Sequence, residues 1–216
     1  MSYGICLFDL DGTLTDPGLG ITKAFQYALA RFGIEVKPDD LVRFIGPPIR
    51  ESLRSIYGFS DADVEKAVAV YREYYGETGL YENTIYPDII KILEKLRAEG
   101  KSLAVATSKA TLYACKVLEH FGIDGYFSFV SGDNMDGSLT VGGKGGVIRA
   151  ALDALDEARA GRPVMIGDRM YDIAGARKAG IDSIGVTWGY GSRDELIAEG
   201  ATWIADSADE LLRLVI

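Results

Sequence analysis

Three carboxylates crowd the stretch LFDLDGTLTD, which runs from Leu7 to Asp16 and starts within an apolar segment. A buried strand that ends this way would hold Asp9 and Asp11 close together at its tip. Crowding or burying like charges raises their pKa values and destabilises the fold unless an opposite charge compensates. The spacing therefore predicts a bound cation here, together with chemistry that uses one.

Polar groups also follow the other strong apolar segments. Thr107 and Ser108 end the second segment, and Asp168 ends a later one, with Asp172 four residues further on. Ligands of open α/β sheets bind outside the carboxyl ends of the strands, so we expect these groups to meet at one edge. Lys144, in the glycine-rich segment VGGKGG at a predicted helix start, is expected to join them.

These residue types suit phosphoryl transfer. Carboxylates are the hard oxygen ligands that Mg²⁺ prefers, whereas a chain with one histidine is not expected to build a zinc or di-iron site. Lys144 would attract a phosphate oxygen, and Thr107 would offer a hydroxyl group. The backbone N–H groups of Ser108 and Lys109 are expected to open a helix and to bind an anion. Asp9 can then act as a nucleophile and form an aspartyl-phosphate.

The elements that must position these groups follow from the alternation of short apolar runs with longer helical patterns. This alternation predicts an α/β fold with a doubly wound parallel sheet and a Rossmann-like core. The strand candidates are 3–9, 102–108, 163–168 and 182–188, with weaker ones at 127–132 and 201–206. One helix candidate is opened by Pro87 and Asp88 and closed by Gly100. The others cover 109–121, 144–158 and 171–179.

One stretch interrupts the alternation. From about Pro17 to Gly79 the sequence shows four consecutive helical patterns and no strand pattern. We therefore expect a small helical domain, residues 17–82, inserted into a core of residues 1–16 and 83–216. Arg50 and Arg54 lie four residues apart on one predicted helix face of this insertion, and Arg50 is the candidate for contacting the distal part of a substrate.

Composition excludes several partners. The net charge of −9 predicts no basic face, which argues against nucleic acid and anionic membranes as partners. Two cysteines do not suggest a disulfide framework. The start MSYGICLF lacks the basic region of a signal peptide, and no spanning segment is visible. We expect a cytoplasmic protein, a monomer or a weak homodimer.

The segments DLDGTLTD, ATSK and GDRMYD, together with Lys144, resemble the four motifs of the haloacid dehalogenase-like hydrolase superfamily, in the right order. The helical insertion is similar to the type 1 cap of its phosphatase branch. FIGPPIRESL, GLYENTIYP and GYGSRDEL further resemble the subgroup of phosphoglycolate phosphatases and related 5'-nucleotidases. The resemblance covers nearly the whole chain, but the subgroup segments do not fix the substrate.

The resemblance implies roles for the two aspartates of the first motif. Asp9 becomes the nucleophile, and Asp11 becomes the general acid and base, with its backbone carbonyl bound to Mg²⁺. The dehalogenase branch lacks an acid at the position of Asp11, so its presence favours phosphoryl transfer. We expect like charges nearby to favour the protonated form of Asp11.

The other three motifs supply the remaining implied groups. Thr107 and Lys144 would hold the phosphoryl group. Asp168 would bind Mg²⁺, and Asp172 would either bind the metal or support its ligands. Two glycines follow Lys144 where helix formers are more usual, which leaves the exact start of that helix open.

We therefore expect an Mg²⁺-dependent phosphomonoesterase of a small phosphorylated metabolite that works through an aspartyl-phosphate. A 5'-nucleotidase and a phosphoglycolate phosphatase are nearly tied, and the aromatic residues of the insertion slightly favour a nucleotide. A phosphosugar mutase of the same superfamily and a non-catalytic binding or regulatory protein are the alternatives. The intact set of Asp9, Asp11, Lys144 and Asp168 argues against the non-catalytic one.

Overall fold

The computed structural model describes residues 2–155 and 161–216. The chain forms two compact units. The first consists of Met1–Asp16 and Ile85–Ile216, and the second of Pro17–Thr84. We call the first the α/β unit and the second the helical unit.

The strands in chain order are β1 (Ile5–Phe8), β2 (Thr15–Asp16), β3 (Thr84–Ile85), β4 (Ser102–Ala110), β5 (Phe129–Asp133), β6 (Pro163–Gly167), β7 (Asp182–Val186) and β8 (Trp203–Ala205). β2 and β3 pair with each other. The other six form one sheet in the order β5-β4-β1-β6-β7-β8, and every pairing in it is parallel. This sheet, with helices packed against it, confirms the predicted fold class.

The helices in chain order are α1 (Gly18–Ala30), α2 (Pro38–Leu41), α3 (Ile49–Tyr57), α4 (Asp61–Tyr74), α5 (Ile89–Ala98), α6 (Thr111–His120), α7 (Gly145–Ala154), α8 (Met170–Ala179), α9 (Arg193–Glu199) and α10 (Ala208–Val215). Short 3₁₀ segments cover Val42–Phe44, Asp124–Tyr126 and Ser138–Thr140, and a π-helical turn covers Tyr75–Gly79. The predicted helix 144–158 is described as far as Ala154, and its residues 156–158 lie outside the described residues.

The central strand β1 is buried on both faces, as its continuous apolar run predicts. Ile5 and Leu7 belong to a core cluster with residues of α7 and α8, while Cys6 and Phe8 point to the opposite, equally buried face. β1 lies between β4 and β6, with Phe8 in register with Val105 and with Ile166. The residues that follow all three strands therefore emerge at one edge of the sheet.

The helical unit packs around its own aromatic side chains. The ring of Phe25 in α1 lies 4.6 Å from that of Phe44 and 5.0 Å from that of Tyr71, between ring centroids. Tyr71 in turn stacks on Tyr75 at 5.3 Å. These rings fill the interior of the unit, so its aromatic content is explained by packing and does not by itself indicate a nucleotide.

The helices among the described residues are too short or too polar to span a bilayer.

Candidate active site

Three carboxylates meet at the carboxyl edge of the sheet. Asp9 follows β1, Asp168 follows β6, and Asp172 lies in the first turn of α8. One oxygen from each lies within 4.8 Å of the others, and all three side chains are buried. The structure thus brings together the side chains of three of the four aspartates named as candidate metal ligands; the fourth, Asp11, was expected to offer its backbone carbonyl.

Lys144 lies between two of these carboxylates. It precedes α7 directly, which fixes the helix start that the two glycines had left open. Its Nζ lies 2.5 Å from Asp9 Oδ2 and 2.6 Å from Asp172 Oδ1, and its side chain is 1% exposed. Burial lowers the pKa of Lys144, but Asp172 and Asp9 outweigh that effect and hold the pKa above its usual value. Lys144 is therefore a buried ammonium ion beside the predicted nucleophile.

Asp168 is held by groups from two other segments. Thr13 Oγ1 donates to its Oδ1 at 3.1 Å, and the Tyr190 backbone N–H donates to its Oδ2 at 2.8 Å. Gly12, with φ of 86°, passes so close that a Cβ there would collide with the Asp168 carboxylate. Burial, followed by the charges of Asp172 and Asp9, raises the pKa of Asp168 above its ordinary value.

Asp11 has a partner that the sequence analysis missed. Lys109 Nζ lies 2.5 Å from Asp11 Oδ2, and both side chains are nearly buried. Burial is the largest influence and raises the pKa of Asp11, Lys109 opposes it, and the charge of Asp9 adds to the rise. The pKa of Asp11 is therefore raised, as the sequence analysis expected, but the main cause is burial and not the like charges nearby.

The expectation that Ser108 and Lys109 open a helix is wrong. β4 stays extended as far as Ala110, because Ala110 still pairs with Asp133 of β5 after a register shift, and α6 begins only at Thr111. The backbone N–H groups of Ser108 and Lys109 therefore do not lie at a helix N-terminus; that of Lys109 donates to Thr107 Oγ1 at 3.3 Å. No local sequence signal marks this, because the extension of β4 to Ala110 depends on pairing with the distant strand β5.

The site contains buried polar atoms that find no partner among the described residues. They are Asp9 Oδ1, Asp11 Oδ1 and Ser108 Oγ. Leaving such atoms unsatisfied is costly, so each is a position where a bound ligand can complete the site.

The charge balance of the cluster also favours a bound ligand, in this case a cation. Four buried carboxylates (Asp9, Asp11, Asp168 and Asp172) face the buried Lys144 and the nearly buried side chain of Lys109, an excess of two negative charges when all are ionised. The chemistry of this donor set, oxygen atoms only, fits a hard divalent cation. The residues present therefore fit the metal that the resemblance implies.

Arg50 belongs to the helical unit and is not part of this cluster. Its guanidinium forms a bidentate pair with Glu65 of α4, at 2.7 and 2.9 Å, and its side chain is largely buried. Arg54, one turn further along α3, pairs with Asp61 at 2.9 Å. A role for Arg50 in binding substrate stays a prediction.

A family model described as haloacid dehalogenase-like hydrolase matches residues 6–186 of this chain. The chain belongs to the haloacid dehalogenase-like hydrolase family. The predicted family is therefore confirmed. The relatives described next, named 5'-nucleotidase and phosphatase, also confirm the predicted enzyme class, a phosphoric monoester hydrolase.

Several members of the family are similar over most of their length. A 5'-nucleotidase of Pseudomonas aeruginosa is 45% identical over 96% of this chain and 94% of its own. Tyrosine-protein kinase PtkA of Mycobacterium tuberculosis is 40% identical over 96% of this chain and 70% of its own. A phosphoglycolate phosphatase of Agrobacterium fabrum is 31% identical over 86% of this chain and 81% of its own. The crystal structure of a predicted phosphatase from Clostridium acetobutylicum superposes with a TM-score of 0.94, at 41% identity, and covers 100% of this chain and 99% of that one.

The raised pKa of Asp168 predicts how metal and pH affect stability. The pKa of Asp168 is raised to about 7, so folding takes up a proton at this group. Without metal, the contribution of Asp168 to stability therefore falls as pH rises from about 4 to about 7. A divalent cation competes with that proton, so stabilisation by Mg²⁺ should grow with pH. In EDTA at pH 8, Asp168→Asn should raise the melting temperature by about 4–8 °C, the shift that about 2 kcal/mol produces in a chain of this size.

Thermal melts of the wild type, Asp168→Asn and the exposed control Asp153→Asn at pH 5 and 8, with EDTA or Mg²⁺, check this. The wild type and Asp153→Asn should respond to Mg²⁺ alike, whereas Asp168→Asn should respond little. A wild type that gains nothing from Mg²⁺ at pH 8 would contradict a metal site at Asp168.

Proposed function

We propose that this phosphatase is an Mg²⁺-dependent phosphomonoesterase that hydrolyses a small phosphorylated metabolite through an aspartyl-phosphate on Asp9. The observation that carries the proposal is the environment of Asp9. One of its oxygens is paired with Lys144, and the other is buried with no hydrogen-bond partner in the described part of the chain, within a cluster that includes Asp168 and Asp172.

The residues that would hold the metal are the carboxylates of Asp9, Asp168 and Asp172, with the backbone carbonyl of Asp11. Mg²⁺ would offset the excess negative charge and stabilise charge on the phosphoryl oxygens. The remaining chemistry belongs to the side chains. Lys144 would hold a phosphoryl oxygen near Asp9, and Thr107 and Ser108 would offer their hydroxyl groups to the same phosphoryl group.

In the first step, a carboxylate oxygen of Asp9 attacks phosphorus, and the bond from phosphorus to the ester oxygen breaks. Asp11 gives its proton to the departing alkoxide, which leaves as an alcohol. Burial of Asp11 supports this role, because it favours the protonated form.

In the second step, a water molecule attacks phosphorus of the aspartyl-phosphate, and Asp11 accepts a proton from that water. The bond from phosphorus to Asp9 breaks, which releases inorganic phosphate and restores the Asp9 carboxylate. Lys109, 2.5 Å from Asp11, favours the ionised form that this step needs. Burial raises the pKa of Asp11 and Lys109 lowers it, and this balance suits a group that gives a proton in one step and takes one in the next.

A nucleoside 5'-monophosphate is the first substrate to test, with phosphoglycolate second. The basis for this order is the 45% identity to a protein named 5'-nucleotidase, against 31% to one named phosphoglycolate phosphatase. We further propose that the helical unit acts as a cap that excludes water and selects the distal part of the ester.

A phosphatase assay over nucleoside monophosphates, phosphoglycolate and sugar phosphates tests the proposal. We expect release of phosphate from at least one ester in Mg²⁺, no release in EDTA, and inhibition by Ca²⁺, whose larger and looser coordination shell disturbs the in-line geometry. Asp9→Asn should be inactive on every ester. Full turnover in chelator would contradict the proposal.

The same assay separates the alternatives. A phosphosugar mutase would convert a sugar phosphate to its isomer and would need a bisphosphate primer, whereas a non-catalytic protein would release nothing. Because one relative is named a tyrosine kinase, ATP with a tyrosine peptide forms a further arm. Transfer to the peptide in place of phosphate release would contradict the proposal.

Asp11→Asn should keep the shape of the loop and remove both proton transfers. Turnover of an alkyl phosphate should fall about 10²–10⁴-fold, the usual range for general acid–base catalysis. With p-nitrophenyl phosphate the first step needs little protonation, so a burst of p-nitrophenol should precede slow turnover. Rapid-quench kinetics measures both phases.

The control for this burst is Asp9→Asn, which lacks the nucleophile and should show none. If Asp11→Asn instead lost turnover equally on the alkyl phosphate and on p-nitrophenyl phosphate, with no burst, Asp11 would not be the general acid and base.

Arg50→Ala should lower kcat/KM for the best natural ester about tenfold more than for p-nitrophenyl phosphate, because the loss of a charged contact to the distal group affects only the larger ester. Two matched variants separate this role from the ion pair with Glu65. Glu65→Gln breaks the same pair but keeps Arg50, and Arg54→Ala breaks the neighbouring pair with Asp61. Equal effects of Arg50→Ala and Glu65→Gln would assign Arg50 to the structure of the helical unit alone.

A further inference from the structure

The segment Trp188–Gly191, which follows β7, contacts both aspartate-bearing loops of the site. Trp188 Nε1 donates to the backbone carbonyl of Thr13 at 3.1 Å. Two residues on, the Tyr190 N–H donates to Asp168 Oδ2 at 2.8 Å. The segment therefore braces the loop after β1 and directs one oxygen of the Asp168 carboxylate.

The side chain of Tyr190 is anchored at a third place. Its hydroxyl donates to Asp16 Oδ1, and Asp16 ends β2, the last residue of the α/β unit before the chain enters the helical unit. Burial and the charge of Asp16 raise the pKa of Tyr190. The hydroxyl therefore stays protonated, and a donor, at any working pH.

The fit of this segment is tight. A Cβ at Gly189 would collide with the backbone oxygen of Gly12 and with the side chain of Asp168. At Gly189 and Tyr190 the segment therefore meets Asp168 through its backbone. Two side chains make its other contacts, the Trp188 indole with Thr13 and the Tyr190 hydroxyl with Asp16.

We propose that Tyr190 is a positioning residue for Asp168: its hydroxyl, bonded to Asp16, fixes the backbone N–H that orients the Asp168 carboxylate. The inference rests on the proposed function in one respect, that Asp168 serves as a metal ligand. The new element is that Tyr190 links Asp16, the last residue before the helical unit, to the Asp168 carboxylate through two hydrogen bonds.

Tyr190→Phe tests the inference, because it keeps the ring and the backbone N–H and removes only the hydroxyl. The Kd for Mn²⁺ alone, measured from the free-ion EPR signal, should rise about tenfold, the effect expected from losing one hydrogen bond to a charged group. The Mg²⁺ concentration for half-maximal activity should rise by the same factor. At saturating Mg²⁺, KM for the ester should stay within about twofold. Tyr126→Phe, a control with an exposed hydroxyl 3.5 Å from Glu94, should leave both metal constants unchanged.

A double-mutant cycle identifies the partner. If Tyr190 acts through Asp16, Tyr190→Phe should weaken Mn²⁺ binding in the wild type but cause no further loss in Asp16→Ala. An undiminished tenfold loss in Asp16→Ala, or a wild-type Mn²⁺ affinity in Tyr190→Phe, would overturn the inference and leave the proposed function standing. If the wild type itself binds no Mn²⁺, the metal site of the proposed function fails, and the inference fails with it.

Discussion

Burial of four carboxylates at one edge of the sheet is the constraint on which the rest of the structure depends. They are Asp9, Asp11, Asp168 and Asp172, and the lysines beside them are the buried Lys144 and the nearly buried Lys109. Removing ions from water costs several kcal/mol each unless partners compensate, and two ammonium ions balance only half of this charge. The cluster must therefore hold a proton or bind a cation, and the raised pKa of Asp168 shows the first response in the protein without metal. An arrangement that is unfavourable alone would become stable on binding a divalent ion, as the proposed function requires.

The parallel sheet is what makes this crowding possible. β1 lies between β4 and β6, so the residues after all three strands meet without any one loop having to be long. Lys144 reaches the same edge from the start of α7, and Tyr190 reaches it after β7. Because the groups come from several elements that are far apart in the chain, the site forms only once these elements have packed together. The side chains are then fixed before a substrate arrives, which is the condition for electrostatic catalysis.

Much of this could be predicted from the sequence. Apolar runs located the strands, and the polar residues after them identified Asp9 and Asp168, since parallel strands end at a common edge. Lys144 was expected to join them from a predicted helix start, where the structure places it. The ion pair of Lys109 with Asp11 could not be predicted, because it depends on β4 staying extended to Ala110, and that depends on pairing with a distant strand. The contacts of Thr13 and Tyr190 with Asp168 were missed for a related reason. They join ordinary residues far apart in the chain, and no local pattern marks them.

The central claim is that Asp9 carries the phosphoryl group between the two steps. Borohydride reduces an acyl phosphate to an alcohol, so quenching the enzyme during turnover with borohydride should convert the phosphorylated aspartate to homoserine. Peptide mass spectrometry of the wild type should then find homoserine at position 9 and at no other aspartate, and only when both an ester substrate and Mg²⁺ are present. Homoserine at another aspartate, or its absence from position 9 during measured turnover, would contradict the account.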